Sequence, residues 1–132
     1  MLREHLIPAL KTTFPELAFE YPGDGNVVAS LPMPNGIGTL KICDDGDEIT
    51  VFLGDVTHCH FSQDYLGDGK YSPEPEACDA AIRYLKDLFS DRVFFYYARD
   101  RERDGSGPLP SREKLEEIKK DCRCFLWSRA LI

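Results

Sequence analysis

The sequence predicts a single α+β domain: an antiparallel β-sheet of five to seven strands, a central amphipathic helix packed on one face, and a shorter N-terminal helix. Short alternating apolar runs separated by turn residues fill the first half of the chain, which is typical of an antiparallel meander. One apolar stripe at helical spacing follows, over about residues 73–90. With 132 residues the chain has the length of one domain, so we assign residues 1–132 to it.

The first helix is predicted from apolar residues at helical spacing: Leu2, Leu6 and Leu10. Pro8 lies inside this segment and lacks a backbone N–H, so the start of the helix stays open. Phe14-Pro15 ends it. The meander then begins, and its strands are predicted at residues 17–21, 27–31 and 39–42. The turns between them contain the glycines, prolines and aspartates that tight turns favour, including Asp24 and the segment 44–47.

The stretch from Glu48 to Ser62 is the longest strand-like run. Because side chains alternate between the two faces of a strand, a straight register directs His58 and His60 outward together. A bulge at Gly54 would turn both imidazoles inward. The straight register would bury Asp55, but a bend at Gly54 could free Asp55 from the core and still leave the histidines outside. We therefore favour the outward direction.

The central helix is predicted after a polar, glycine-containing loop at residues 63–71. Ser72 is the expected N-cap, with Pro73 at the first helical position and acidic residues in the first turn. Its apolar stripe consists of Cys78, Ala81, Ile82, Leu85, Leu88 and Phe89. The stripe is expected to pack on the sheet.

The last third of the chain is predicted to add two strands and a short helix. Residues 92–99 are apolar on both faces, which indicates a central strand. A weakly amphipathic helix is expected to start near Ser111, and residues 122–132 to form a final strand.

Charge and composition argue against several functional classes. The formal net charge is −7, from 23 acidic and 16 basic residues, whereas nucleic-acid binding requires a basic surface. The longest apolar run, Val93 to Ala98, is far shorter than the roughly 20 residues that span a bilayer. Polar residues and Pro8 interrupt the first eleven positions, so we expect no secretory signal. The odd number of cysteines, five, predicts free thiols in a reducing cytoplasm.

The pair His58 and His60 is the sharpest candidate for chemistry. Two imidazoles on one strand face can ligate zinc, but a metal site needs further ligands, for which Asp55, Asp64 or a cysteine are the nearby types. The sequence contains no HExxH or paired CxxC motif, and its carboxylates are scattered. We therefore favour a surface histidine pair, and expect neither a cofactor nor an enzymatic function.

The strand EITVFLGDVTHCHF, followed by a loop and the helix EACDAAIRYLKDLF, resembles small bacterial immunity proteins of polymorphic toxin systems. Three residues match the strand ending of those families: Thr57, His60 and Phe61. Cys59 stands where a small polar residue is more typical. The resemblance covers residues 48 to about 97. It implies an α+β fold that binds one cognate toxin domain without catalysis, and the acidic charge would suit a basic nuclease toxin.

The functional expectation is a non-catalytic protein-binding domain that acts as a monomer or homodimer, with an immunity protein as the specific hypothesis. The candidate partner-binding residues are Asp55, His58, His60, Asp64 and Tyr65. Small acidic α+β chains also resemble secretion chaperones, which dimerise and hold an effector segment, and this is the first alternative. The second alternative is a small metal-dependent enzyme that uses His58 and His60.

Overall fold

The structure, a computed structural model, describes residues 2–23 and 25–131. Within these residues the fold contains three helices and ten strands. In chain order they are α1 (Leu2–Thr13), β1 (Val27–Pro32), β2 (Thr39–Asp44), β3 (Glu48–Leu53), β4 (Thr57–Ser62), β5 (Tyr65–Gly67), β6 (Lys70–Tyr71), α2 (Glu76–Phe89), β7 (Val93–Ala98), β8 (Asp104–Pro108), α3 (Arg112–Lys119), β9 (Cys122–Phe125) and β10 (Ala130–Leu131). The predicted α+β class, with an N-terminal helix and a central helix, is confirmed. None of the described helices is both long enough and apolar enough to cross a bilayer.

All strand pairs are antiparallel, as predicted, but the strands are divided between sheets. The first sheet has the order β1-β2-β3-β4, the second has the order β10-β9-β7-β8, and β5 and β6 form a separate hairpin. The two larger sheets meet where β4 lies beside β8. Side chains connect them there, because the Thr57 hydroxyl donates to the Asp104 carboxylate at 2.6 Å.

The main core lies between the inner face of the first sheet, helices α1 and α2, and one face of the second sheet. The predicted stripe of α2 faces this core, since Cys78, Ala81, Leu85 and Leu88 are buried. The leucines at positions 2, 6 and 10 of α1 are buried as well, although Pro8 lies within the helix. The sequence patterns therefore identified the packing faces of both helices.

The second sheet is covered on both faces, which explains the apolar character of β7. One face contributes Phe95 to the main core, and the other contributes Phe94 to a smaller cluster of buried residues. Helix α3 covers that cluster with Leu115 and Ile118. Strand β7 lies between β8 and β9, so the predicted central strand is confirmed.

Several segments differ from the prediction. Helix α2 begins at Glu76 rather than at Pro73, and residues 17–21 contribute only the bridge between Glu20 and Ser30 to the described sheets. The predicted final strand is a hairpin, because a turn at residues 126–129 folds β10 back against β9. The predicted loop at 63–71 contains the β5–β6 hairpin. The expectations for Asp24 and Ile132 fall outside the described residues.

Candidate functional site

The first sheet has one face that is turned away from the helices, termed the outer face. On strands β2, β3 and β4 it presents Thr39, Lys41 and Cys43, then Glu48, Thr50 and Phe52, and then His58, His60 and Ser62. Cross-strand register aligns Lys41, Phe52 and His58 in one row. All three are exposed, and Phe52 retains 37% of its accessible surface. The outer face therefore combines an exposed aromatic ring with polar and basic side chains.

A groove of about 420 Å³ lies on the outer face beside Phe52. Lys41 and Asp55 line it, so both charges are present at its rim. One end is closed by two turns whose backbones nearly touch: a Cβ on Gly38 would lie 3.3 Å from the Gly54 Cα. Gly54 also has φ +57°, a left-handed conformation that glycine adopts without strain. Two glycines from separate turns thus shape the groove.

Both histidines of the candidate pair are exposed on the outer face. The turn after β3 holds three residues between Leu53 and Thr57, so these two pair across the hairpin and the side-chain alternation is preserved. His58 and His60 consequently point outward, in the direction that the sequence favoured. Their ring centroids are 4.9 Å apart in an edge-to-face arrangement, and the His58 ring lies 5.5 Å from that of Phe52.

A hydrogen-bond network fixes the orientation of His60. Its Nδ1 lies 3.2 Å from Glu48 Oε1 and 3.1 Å from Thr50 Oγ1. The Thr50 hydroxyl donates its proton to Asp45 at 2.5 Å, so in the contact between Thr50 and His60 the Nδ1 atom is the donor. Hydrogen bonds from Thr50 and Asn26 hold the pKa of Asp45 below its usual value. Asp45 therefore stays ionised at neutral pH and anchors the network.

The metal hypothesis for His58 and His60 requires additional ligands near the pair. Among residues 2–23 and 25–131, no group of three or more His, Cys, Asp or Glu side chains is arranged to hold a metal ion. Asp55 lies near His58, where both line a shallow hollow of about 250 Å³. The Cys59 thiol points to the opposite side of β4 from the two imidazoles. The described part of the site thus offers two imidazoles, and zinc commonly takes three or four protein ligands.

Cys59 belongs to a polar cluster between the two large sheets. Its Sγ lies 3.1 Å from Ser106 Oγ and 3.6 Å from the Tyr84 hydroxyl, which donates to Ser106 at 3.0 Å. Burial and the adjacent thiol raise the pKa of Tyr84, so its hydroxyl remains protonated and available as a donor. The cluster connects α2, β4 and β8. Sequence reasoning missed it, because these residues are far apart in the chain.

The remaining predicted partner-binding residues flank β4. Asp55 precedes the strand, and Asp64 and Tyr65 follow it; all are exposed. Tyr65 stacks edge-on against Tyr71 of the neighbouring strand, with ring centroids 5.3 Å apart. The five predicted residues thus lie along one strand and its two ends. Phe52 was missed as a site residue, although its alternation with Val51 and Leu53 already placed it on the outer face.

Replacing both His58 and His60 by alanine is expected to change the free energy of unfolding by no more than about 1 kcal/mol, because exposed polar contacts contribute little. Urea denaturation of the double variant measures this change. The matched control is Leu53→Ala, which truncates a fully buried residue of the same hairpin and is expected to cost about 2–5 kcal/mol. A loss of several kcal/mol in the histidine variant would show that the pair supports the core.

Comparison with known proteins adds no relative from which a function could be transferred. No protein-family model, no curated protein and no solved structure matches the chain. The function is therefore inferred from the geometry of the outer face and from the residues that surround it.

Proposed function

We propose that this protein is a non-catalytic protein-binding domain whose partner binds the outer face of the first sheet. The observation that carries the proposal is the exposed Phe52 ring beside a groove, surrounded by Lys41, Asp55, His58 and His60. An apolar anchor within a polar rim is the usual anatomy of a protein interface. The outer face and its groove together contain three of the five residues that the sequence suggested for partner binding: Asp55, His58 and His60.

Polar side chains of this surface are already ordered by hydrogen bonds in the free protein. His60 is fixed by Glu48 and Thr50, and Thr50 is fixed by Asp45. Side chains that are already ordered lose less conformational entropy on association, which favours affinity. This arrangement supports recognition of a specific partner.

The geometry does not favour nucleophilic catalysis. The Cys59 thiol lies on the inner side of β4, whereas the imidazoles of His58 and His60 lie on the outer side. A nucleophile needs a base within hydrogen-bond reach, and here the strand separates the two kinds of group. A binding function agrees better with this placement.

The partner class that we propose is a basic protein domain, and specifically a cognate toxin neutralised by an immunity-type interaction. The formal charge of −7 favours association with a basic partner. Within the strand ending that resembles immunity proteins, His60 is the residue on the outer face. The five cysteines are unpaired in the structure, which supports our proposal of a cytoplasmic location.

The exposed side of α2 favours the proposed function over that of a secretion chaperone. Such a chaperone would be expected to bury an additional helix face in an obligate dimer. The exposed residues on α2 include Asp79, Arg83, Lys86 and Asp87. A charged helix face is a poor core for a dimer interface, where charged residues are depleted.

The proposal is tested by affinity capture of the tagged protein from its own host, with mass spectrometry of the proteins that co-purify. The wild-type protein is compared with the outer-face triple variant Phe52→Ala, His58→Ala and His60→Ala. A matched control changes Arg83 and Lys86 on α2 to alanine. We expect one stoichiometric basic partner with the wild type and the α2 control, and at least a tenfold reduction with the triple variant.

Two outcomes would contradict the proposal: absence of any stoichiometric partner, or equal capture by the triple variant. An extended effector segment bound to a dimer would instead support the chaperone alternative. The metal content of the purified protein, measured by plasma mass spectrometry, distinguishes these two binding functions from the enzyme alternative, which requires a bound metal.

A further inference from the structure

A second surface feature lies on β9 of the second sheet, on the side away from the β4–β8 junction. It is a pocket of about 350 Å³ whose lining includes three cationic residues: Arg99, Lys119 and Arg123. Within the described part of the chain, no carboxylate lines this pocket. Three of the eight residues that line it are thus basic, although the formal net charge of the chain is −7.

The strand register brings the two arginines to one face of the second sheet. Tyr97 pairs with Arg123, and the Arg99 backbone N–H donates to the Asp121 carbonyl at 2.9 Å, which extends the same ladder. Arg99 and Arg123 are therefore diagonal neighbours, at a Cα separation of about 7–8 Å that long side chains can bridge. A third arginine, Arg101, lies over the Tyr97 ring at 4.1 Å and adds positive charge nearby.

Within the described residues, the two arginines of the pocket differ from Lys119 in having no ion-pair partner. Lys119 lies 3.3 Å from Glu116. Burial and the neighbouring Cys122 raise the pKa of the Cys124 thiol, and the charges of Lys119 and Arg99 oppose that rise.

We propose that this pocket binds a small organic anion, with a phosphate or carboxylate group held by Arg99 and Arg123. Guanidinium groups suit both anions, because their planar N–H donors form paired hydrogen bonds to two oxygens. Phe125 and Ala130, which pair with each other across β9 and β10 on the face of Arg123, supply an apolar wall for the rest of the ligand. The volume is at the lower end of the range for small-molecule sites, so the ligand is small. This site is separate from the outer face.

The test is an NMR titration of the full-length ¹⁵N-labelled protein with phenyl phosphate and, in a separate arm, with benzoate. We expect saturable shifts of backbone amides near Arg99 and in β9 and β10, with the tighter of the two anions identifying the preferred head group. Phenol serves as the neutral control and is expected to cause no saturable shifts there. The double variant R99Q/R123Q is expected to bind at least tenfold more weakly.

The matched control variant is R83Q, which removes an exposed arginine of α2 and is expected to change affinity less than twofold. Both pocket arginines are exposed, so their replacement is expected to preserve the spectrum of the folded protein. Should the double variant unfold, R99Q and R123Q alone are each expected to weaken binding at least threefold. Absence of saturable shifts with both anions, or less than a twofold effect of the arginine variants, would overturn the proposal.

The outer-face triple variant is expected to bind the anion as the wild type does. Loss of anion binding in the arginine variants and loss of protein capture in the triple variant are therefore independent results.

Discussion

Replacing Leu85 by alanine is expected to lower the free energy of unfolding by about 2–5 kcal/mol, which is the range for truncating a buried leucine. Leu85 lies at the centre of the α2 stripe and is fully buried. Helix α2 contacts α1, the first sheet and β7 of the second sheet, so a cavity at this position cannot be filled by movement of one element alone. Urea denaturation followed by circular dichroism gives the change in midpoint.

The control for this prediction is Arg83→Ala on the same helix. Arg83 is exposed, so its replacement is expected to change stability by about 0.5 kcal/mol or less. An unchanged midpoint for Leu85→Ala would show that α2 packs through a different face. The comparison separates loss of core packing from a general effect of alanine in the helix.

Replacing Gln63 by alanine is expected to cost about 1–3 kcal/mol, because it leaves buried backbone groups without a partner. The side chain of Gln63 is nearly buried and caps α2 from a distance. Its Oε1 accepts from the Ala77 N–H at 2.7 Å, and its Nε2 donates to the carbonyls of Ser72 and Glu74. Loss of the residue therefore removes a donor and an acceptor at the start of the helix.

Two variants define this result. Ser62→Ala changes the exposed neighbour of Gln63 and is expected to shift stability by about 0.5 kcal/mol or less. Gln63→Glu retains an acceptor for Ala77 but directs a carboxylate toward two carbonyl oxygens, so it is expected to be destabilised at neutral pH as well. If Gln63→Ala were as stable as Ser62→Ala, the cap would not contribute to folding.

Much of the fold followed from local patterns in the sequence. The 3.6-residue stripe predicted the buried face of α2, and the unbroken apolar run predicted β7 as a central strand. The two-residue alternation of β3 and β4 predicted that His58 and His60 share the outer face. Each of these inferences uses neighbours in sequence, where periodicity is directly visible.

The features that sequence reasoning missed depend on contacts between distant residues. The predicted N-cap, Ser72, lies outside α2, and its side chain bonds to Glu74 and Glu76 instead. The first turn of α2 is bonded by Gln63, which accepts from the Ala77 N–H. The predicted final strand is broken at Ser128, whose backbone N–H and hydroxyl donate to the Asp91 carboxylate. Neither partner could be identified from local spacing.

The sequence predicted the direction of the side chains at the candidate site, but not the shape of the groove beside them. The alternation of side chains along β4 predicted that both histidines point outward. The groove, in contrast, depends on the Gly38 and Gly54 turns, which approach each other across the sheet. The fixed orientation of His60 requires Asp45, from a different hairpin turn, to accept the Thr50 hydroxyl. Such arrangements become visible only once the strands are paired.

Oxidative footprinting of the protein with its captured partner tests the central proposal most directly. Phe52, His58 and His60 are exposed in the free protein, and Leu109, beyond β8, is an exposed reference outside the outer face. We expect the partner to reduce labelling of the three outer-face residues at least fivefold and to leave Leu109 unchanged. Unchanged labelling of Phe52 and His58 in a stoichiometric complex would contradict the assignment of the outer face as the binding surface.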